Sequence, residues 1–143
     1  MKYSENGLNL TMEFEGCKLE SYPDSGGVFT IGYGHTKGVN PGQNCTIEDA
    51  KNWLSEDVST AENCVNNMVH VELTQNQFDA LVDFVFNLGS GHFIKSSLLR
   101  ILNSGNYDLA SMEFQKWDLD DGVVSEGLAR RRMAEKNLFL KEN

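Results

Sequence analysis

Prolines are scarce, two in 143 residues, and there are only three cysteines. Three thiols build no disulfide framework, and no CxxC or Cys/His spacing suggests zinc. Cys17, Cys45 and Cys64 are therefore idle thiols, or one disulfide with a thiol left over whose pairing the sequence does not choose. Basic residues are also few, 12 against 21 acids, for a net charge of −9. That balance argues against nonspecific binding to nucleic acid or to an anionic membrane surface. Long apolar runs are missing as well. The opening "MKYSENGLNLTMEFEG" has a single lysine, so neither a secretory signal nor a membrane-spanning helix is expected. No low-complexity tract, internal repeat, metal cluster or cofactor motif is visible, and neither a metal nor a cofactor is expected.

What is present is the composition of an ordinary globule, 40% hydrophobic and 23% charged. A chain of this size buries roughly two-thirds of its unfolded surface and folds as one domain. Residues 4–16 read as a helix capped by Ser4 and stopped at Gly16, with Leu8, Met12 and Glu15 on one stripe. "CKLESY", the turn "PDSGG" and "VFTIGYGHT" then form a hairpin or a three-stranded sheet. Thr46 with Asp49 opens a capping box for a helix running towards Met68, which would span roughly 33 Å and bridge two lobes. A second box, Thr74 with Gln77, opens a central helix that ends at Gly89. Further helices are expected over Ser97–Asn103, Asn106–Trp117 and Glu126–Leu140, with "DLDDGVVS" as a loop. The class is α+β: a single domain, 1–143, with a β lobe over about 17–45, a helical lobe over about 60–143 and a cleft between them.

Glu15 and Asp24 are two carboxyls next to this hairpin. Hydrolysis of a glycosidic bond needs such a pair, one protonated to give a proton to the leaving oxygen and one ionised to support water or positive charge. A glutamate near a helix end is also an ordinary surface residue, and an aspartate before Ser-Gly-Gly an ordinary turn former, so spacing alone leaves both readings open. With period two, Thr30 lies beside Gly32 and Gly34 on one strand face, a hydroxyl flanked by cleared space that suits a water or a sugar. "GYG" lacks the third glycine of a dinucleotide loop and opens no helix, which argues against a phosphate site.

The stretch "EFEGCKLESYPDSGGVFTIGYGHT" closely resembles the catalytic segment of the phage-type lysozymes, the endolysins of glycoside hydrolase family 24. Their pattern E-G-x-x-L-x-x-Y-x-D, a turn and T-I-G-x-G-H falls on Glu15, Gly16, Leu19, Tyr22, Asp24, Thr30, Ile31, Gly32, Gly34 and His35. "LTQNQFDALVDFVFNLG", "FIKSSLLRILN" and "GLARRRMAEKNLFL" extend the similarity over nearly the whole chain. The resemblance implies a lysozyme-like fold and a muramidase that cuts the β-1,4 bond between N-acetylmuramic acid and N-acetylglucosamine, with inversion. It implies Glu15 as general acid and Asp24 with Thr30 as holders of the attacking water. Gly34, His35, Thr36, Phe86, Asn87 and Ser97 are implied at the substrate, Ser96 being an equal candidate for the last. His35 in such enzymes more often braces the active-site loop than carries protons.

The implied partners are bacterial peptidoglycan and, indirectly, a holin that releases a monomeric enzyme from the host cytoplasm to the periplasm and wall. Many relatives are strongly basic, whereas this chain is at −9. Arg130–Arg132 could touch wall anions, but local pairs with Glu126 and Glu135 are the plainer expectation. Two alternatives stand beside the main one. A lytic transglycosylase would use Glu15 alone, and a silent wall-binding protein would use none of the set.

Overall fold

Side-chain caps set several of the helix ends. The computed structural model describes residues 1–143. In chain order it contains α1 (Glu5–Glu15), β1 (Lys18–Pro23), β2 (Phe29–Gly32), α2 (Ile47–Asp57), α3 (Ser59–Met68), α4 (Gln75–Leu88), α5 (Ser90–Ile94), α6 (Ser97–Asn103), α7 (Tyr107–Ser111), a 3-10 turn (Phe114–Lys116), β3 (Leu119–Asp120), β4 (Val123–Val124) and α8 (Glu126–Leu140). Both expected capping boxes are formed, Thr46 with Asp49 and Thr74 with Gln77. Gly16 and Gly89 end α1 and α4 with φ of 68° and 93°, a conformation only glycine adopts without strain. The class is α+β: eight helices and two two-stranded antiparallel sheets, β1–β2 and β3–β4.

Three expectations are corrected. The long helix from Thr46 towards Met68 is two helices, divided at Val58. There the Ser59 hydroxyl donates to the Glu56 carbonyl at 2.6 Å, the local bond by which serine competes with the helix ladder. Ser111 does the same to the Asp108 carbonyl at 2.6 Å, and the helix expected over 106–117 ends there, leaving a 3-10 turn behind it. The loop "DLDDGVVS" contains the hairpin β3–β4, turned by Asp121 and Gly122 at φ of 49° and 79°. Asp-Gly is the strongest short hairpin signal. α5 was not anticipated either.

The chain divides into two compact units, Leu8–Ser59 and Met1–Gly7 with Thr60–Asn143. In the first, Ile31, Ala50, Leu54 and Val58 are buried, with Thr11 and Thr30 among the buried polar residues. On α1, Thr11 is thus more deeply placed than Leu8, Met12 and Glu15, which are half-buried. In the second, α4 is buried at every position from Phe78 to Val85, as its apolar pattern requires. Phe84 is its hub, edge-on to Phe93, Phe114 and Trp117.

α4 also buries two aspartates that its sequence gives no reason to expect inside. Asp79 accepts from the Ser4 hydroxyl and, at 2.8 Å, from the Gln75 amide. Ser4 in turn accepts from Gly7 N–H at 3.1 Å, so the cap of α1 is held by the side chain of α4. Asp83 takes a bidentate pair from Arg131, at 3.0 and 2.9 Å. Arg132, wholly buried, lies 5.1 Å over the Phe84 ring, and its Nε is 2.9 Å from Glu135 Oε1. Those two atoms make a close ion pair without hydrogen-bond geometry. Of the partners expected for the arginine run, Glu135 is found and Glu126 is not. Burial first, and the neighbouring Asp83 second, push the Glu135 carboxyl well above its ordinary range, and burial lowers Arg132.

Two predictions follow from this packing. A Cβ at Gly7 would lie 2.3 Å from Tyr3 Cε1 and 2.9 Å from Asp79 Cγ. Gly7→Ala is expected to cost about 1–3 kcal/mol, read as a drop in thermal midpoint of roughly 3–10 °C. Arg132→Met leaves Glu135 buried beside fewer cations and is expected to cost about 3–5 kcal/mol in denaturant unfolding, most of it regained in Arg132→Met/Glu135→Leu. A raised carboxyl contributes stability below its unfolded value and loses it as pH rises through the folded one. The penalty of Arg132→Met therefore shrinks as pH falls through the raised folded-state value, well above the ordinary 4.5, because Glu135 there takes up a proton and needs no cation.

Candidate active site

β1 and β2 are paired with Tyr22 opposite Thr30 and Pro23 opposite Phe29, which leaves 24–28 as the connecting turn. Asp24 organises that turn. Its Oδ1 accepts from Gly26 N–H at 2.8 Å and Val28 N–H at 2.9 Å, while its own N–H donates to the Val28 carbonyl at 2.9 Å. One carboxylate oxygen is thus fixed by the backbone, and Oδ2 has no protein partner. The Thr30 hydroxyl donates to the same Val28 carbonyl at 3.1 Å, which leaves its lone pairs free to accept. Val28, through its N–H and its carbonyl, therefore orients both side chains, Asp24 in the open and Thr30 almost covered.

β2 ends sooner than its pattern suggests. Gly32 stands at φ 67°, and the chain folds back so that Ile31 and His35 exchange both backbone hydrogen bonds at 2.9 Å. Gly34 therefore lies in a tight loop and not on the strand face with Thr30. Neither glycine clears space for a ligand in the way the strand pattern predicts. A Cβ at Gly32 would sit 3.0 Å from Ala50 Cβ, and one at Gly34 would sit 3.0 Å from Glu15 Oε1. Gly32 admits α2, and Gly34 admits the glutamate. Glu15 is the last residue of α1, half-buried and packed against this loop.

His35 is buried, and α2 holds its ring from two sides. Nδ1 is 2.8 Å from Asp57 Oδ2, and the ring stacks on Trp53 with centroids 4.7 Å apart and planes 7° from parallel. Trp53 and Asp57 were not singled out in the sequence. The available signal was their i, i+4 spacing, which puts an acid and an aromatic on the same helix face. Thr36 follows in the open, its carbonyl accepting from Val39 N–H. Beside the site, Tyr33 is raised by burial and by Cys17, and Cys45 by burial, Cys17 and Asp49. All three cysteines are free thiols.

Glu15, Asp24, Thr30, Gly34, His35 and Thr36 all belong to the unit Leu8–Ser59, and Phe86, Asn87 and Ser97 to the other. Phe86 is half-buried against the core around α4. Asn87 Oδ1 accepts from Arg132 at 2.6 Å. Ser96 is the N-cap of α6, its hydroxyl donating to the Phe93 carbonyl at 2.7 Å and accepting from Leu99 N–H at 3.1 Å. Ser97 is exposed and, with Leu88, Glu113, Lys116, Trp117 and Leu119, lines a cavity of about 370 Å³. Of the two serines, Ser97 is the one with a hydroxyl to offer.

Comparison with known proteins identifies the family. The family profile described as phage lysozyme matches residues 12–135. The chain is 43% identical to an endolysin of Acyrthosiphon pisum secondary endosymbiont phage 1, over 97% of this chain and 98% of that one. It is 44% identical to the endolysin of Bacillus phage PZA, covering 97% of this chain and 55% of that longer protein. A solved structure, the muramidase domain of SpmX from Asticaccaulis excentricus, superposes with a TM-score of 0.94 at 41% identity, covering 99% of each chain. No helix is long and apolar enough to cross a membrane. The chain belongs to the phage lysozyme family and is a lysozyme-type glycosidase, a peptidoglycan hydrolase.

Proposed function

We propose that the enzyme is an inverting N-acetylmuramidase that cuts the β-1,4 bond between N-acetylmuramic acid and N-acetylglucosamine. Glu15 gives a proton to the leaving glycosidic oxygen. Asp24 and Thr30 hold a water on the opposite face of the sugar; Asp24 takes its proton as the water oxygen bonds to the anomeric carbon. One bond breaks and one forms, and the product carries a reducing end of inverted configuration. Inversion needs room for that water, hence carboxyls roughly 6.5–9.5 Å apart.

The observation that carries this reading is the different anchoring of the two carboxylates within one unit. Glu15 Oε1 lies against the Gly34 backbone, in a loop closed by paired hydrogen bonds. Asp24 has one oxygen held by two N–H groups and one free, with the Thr30 hydroxyl oriented by the carbonyl of Val28, whose N–H is one of the two. A lytic transglycosylase would leave that second construction without a task. The remaining parts of the proposal are a monomer, substrate contacts at Gly34, Thr36, Phe86, Asn87 and Ser97, and holin-assisted release from the host cytoplasm to the wall.

Glu15→Gln is expected to lower the release of reducing ends from purified sacculi by roughly 10²–10⁴-fold, with the thermal midpoint preserved. Full activity in that variant sinks the assignment. Mass spectrometry of the wild-type digest should show reducing muramic acid termini; 1,6-anhydro termini would transfer the reading to a transglycosylase.

A further inference from the structure

α2 presents Ala50, Trp53 and Asp57, at i, i+3 and i+7, to a single feature, the tight loop 31–35. Ala50 Cβ fills the space that glycine leaves at 32, 3.0 Å from where a side chain would begin, and Trp53 reaches the same point at 3.6 Å. The Trp53 ring lies flat on His35, and Asp57 Oδ2 holds His35 Nδ1 at 2.8 Å. His35 is the residue whose backbone closes the loop onto Ile31 through two 2.9 Å bonds. Between those closures stands Gly34, at φ 78°, its backbone against Glu15 Oε1. Side chains on α2 therefore fix a loop whose tip abuts one carboxylate oxygen.

We propose that Asp57 and Trp53 are positioning residues for Glu15, acting through His35 and the loop 31–35; the inference rests on the reading of Glu15 as general acid. Asp57 sets the rotation of the imidazole and Trp53 sets its plane, so the His35 backbone cannot leave Ile31 without straining both ring contacts. The Gly34 backbone then stays where it limits Glu15 to one placement beside the leaving oxygen. A general acid held loosely still binds substrate with its neighbours but transfers its proton from a poorer geometry. The effect belongs to turnover and not to binding.

The test is steady-state cleavage of soluble, uncross-linked peptidoglycan strands by the full chain, at a temperature well below each variant's thermal midpoint. Asp57→Ala is expected to lower kcat roughly 10- to 100-fold with KM within about twofold of wild type. Asp57→Asn keeps an oxygen acceptor for His35 and is expected to recover most of that loss. Should Asp57→Ala not fold, Trp53→Leu beside Trp53→Phe gives the same contrast, the phenyl ring preserving a stacking face. Wild-type kcat in the folded Ala or Leu variant, a rise in KM alone, or no recovery in the conservative partner each overturns the proposal. Glu15→Gln is run alongside. Activity retained there removes the general-acid reading itself, whereas an inactive Glu15→Gln with a fully active Asp57→Ala removes only the positioning role.

Discussion

The packing of α2 onto a stretch of backbone that has no side chain underlies the arrangement of the candidate site. Ala50 lies so close to Gly32 that a single methyl there would reach 3.0 Å. Gly32 also turns the chain out of β2 at positive φ, so two demands fall on one residue, close approach and left-handed backbone. Once α2 is seated, Trp53 and Asp57 follow by helical spacing and reach His35. The hairpin thus acquires a rigid wall that a two-stranded sheet cannot supply for itself, since isolated two-stranded sheets are marginal in water. Asp24 and Thr30 sit on the turn and strand of that hairpin.

Local grammar carried much of this into view. Ser4, Thr46 with Asp49, Thr74 with Gln77, Gly16 and Gly89 are signals within one turn of the chain, and the structure uses each of them. The boundaries of α6 and α8 follow for the same reason. What escaped was decided by competition or by distance. Ser59 and Ser111 bond backward to carbonyls and cut two helices whose apolar periodicity continues past the break. The role of Gly32 depends on a residue 18 positions ahead, and period-two reasoning placed Gly34 on a strand that had already ended. The Asp121–Gly122 turn was legible but was masked by its acidic neighbours.

Buried charge follows the same rule of distance. Asp79 and Asp83 are polar breaks in an otherwise apolar helix, and within α4 the Gln75 amide meets Asp79. Their distant partners lie at Ser4 and Arg131, 75 and 48 residues away. The arginine run shows how position on a helix divides like residues: Arg131 and Arg132 point into the unit and are buried, while Arg130 faces out. Such pairs contribute more to specifying one packing than to net stability, because desolvation consumes most of the attraction.

That division bears on how an acidic enzyme meets its substrate. Asp83, Glu135, Arg131 and Arg132 are two formal negatives and two positives, so the net charge of −9 resides entirely outside this cluster, on the rest of the molecule. Two of the chain's 12 cations are spent in the interior, and a third, Lys116, lies 2.5 Å from the buried Glu113 carboxylate. Long-range attraction to an anionic wall is therefore not the device by which substrate is gathered. On the proposed reading, recognition arises at contact, from hydrogen-bonding groups such as Asp24 and Thr30, both oriented by Val28. Salt should favour such association, since what it screens is the repulsion between like charges.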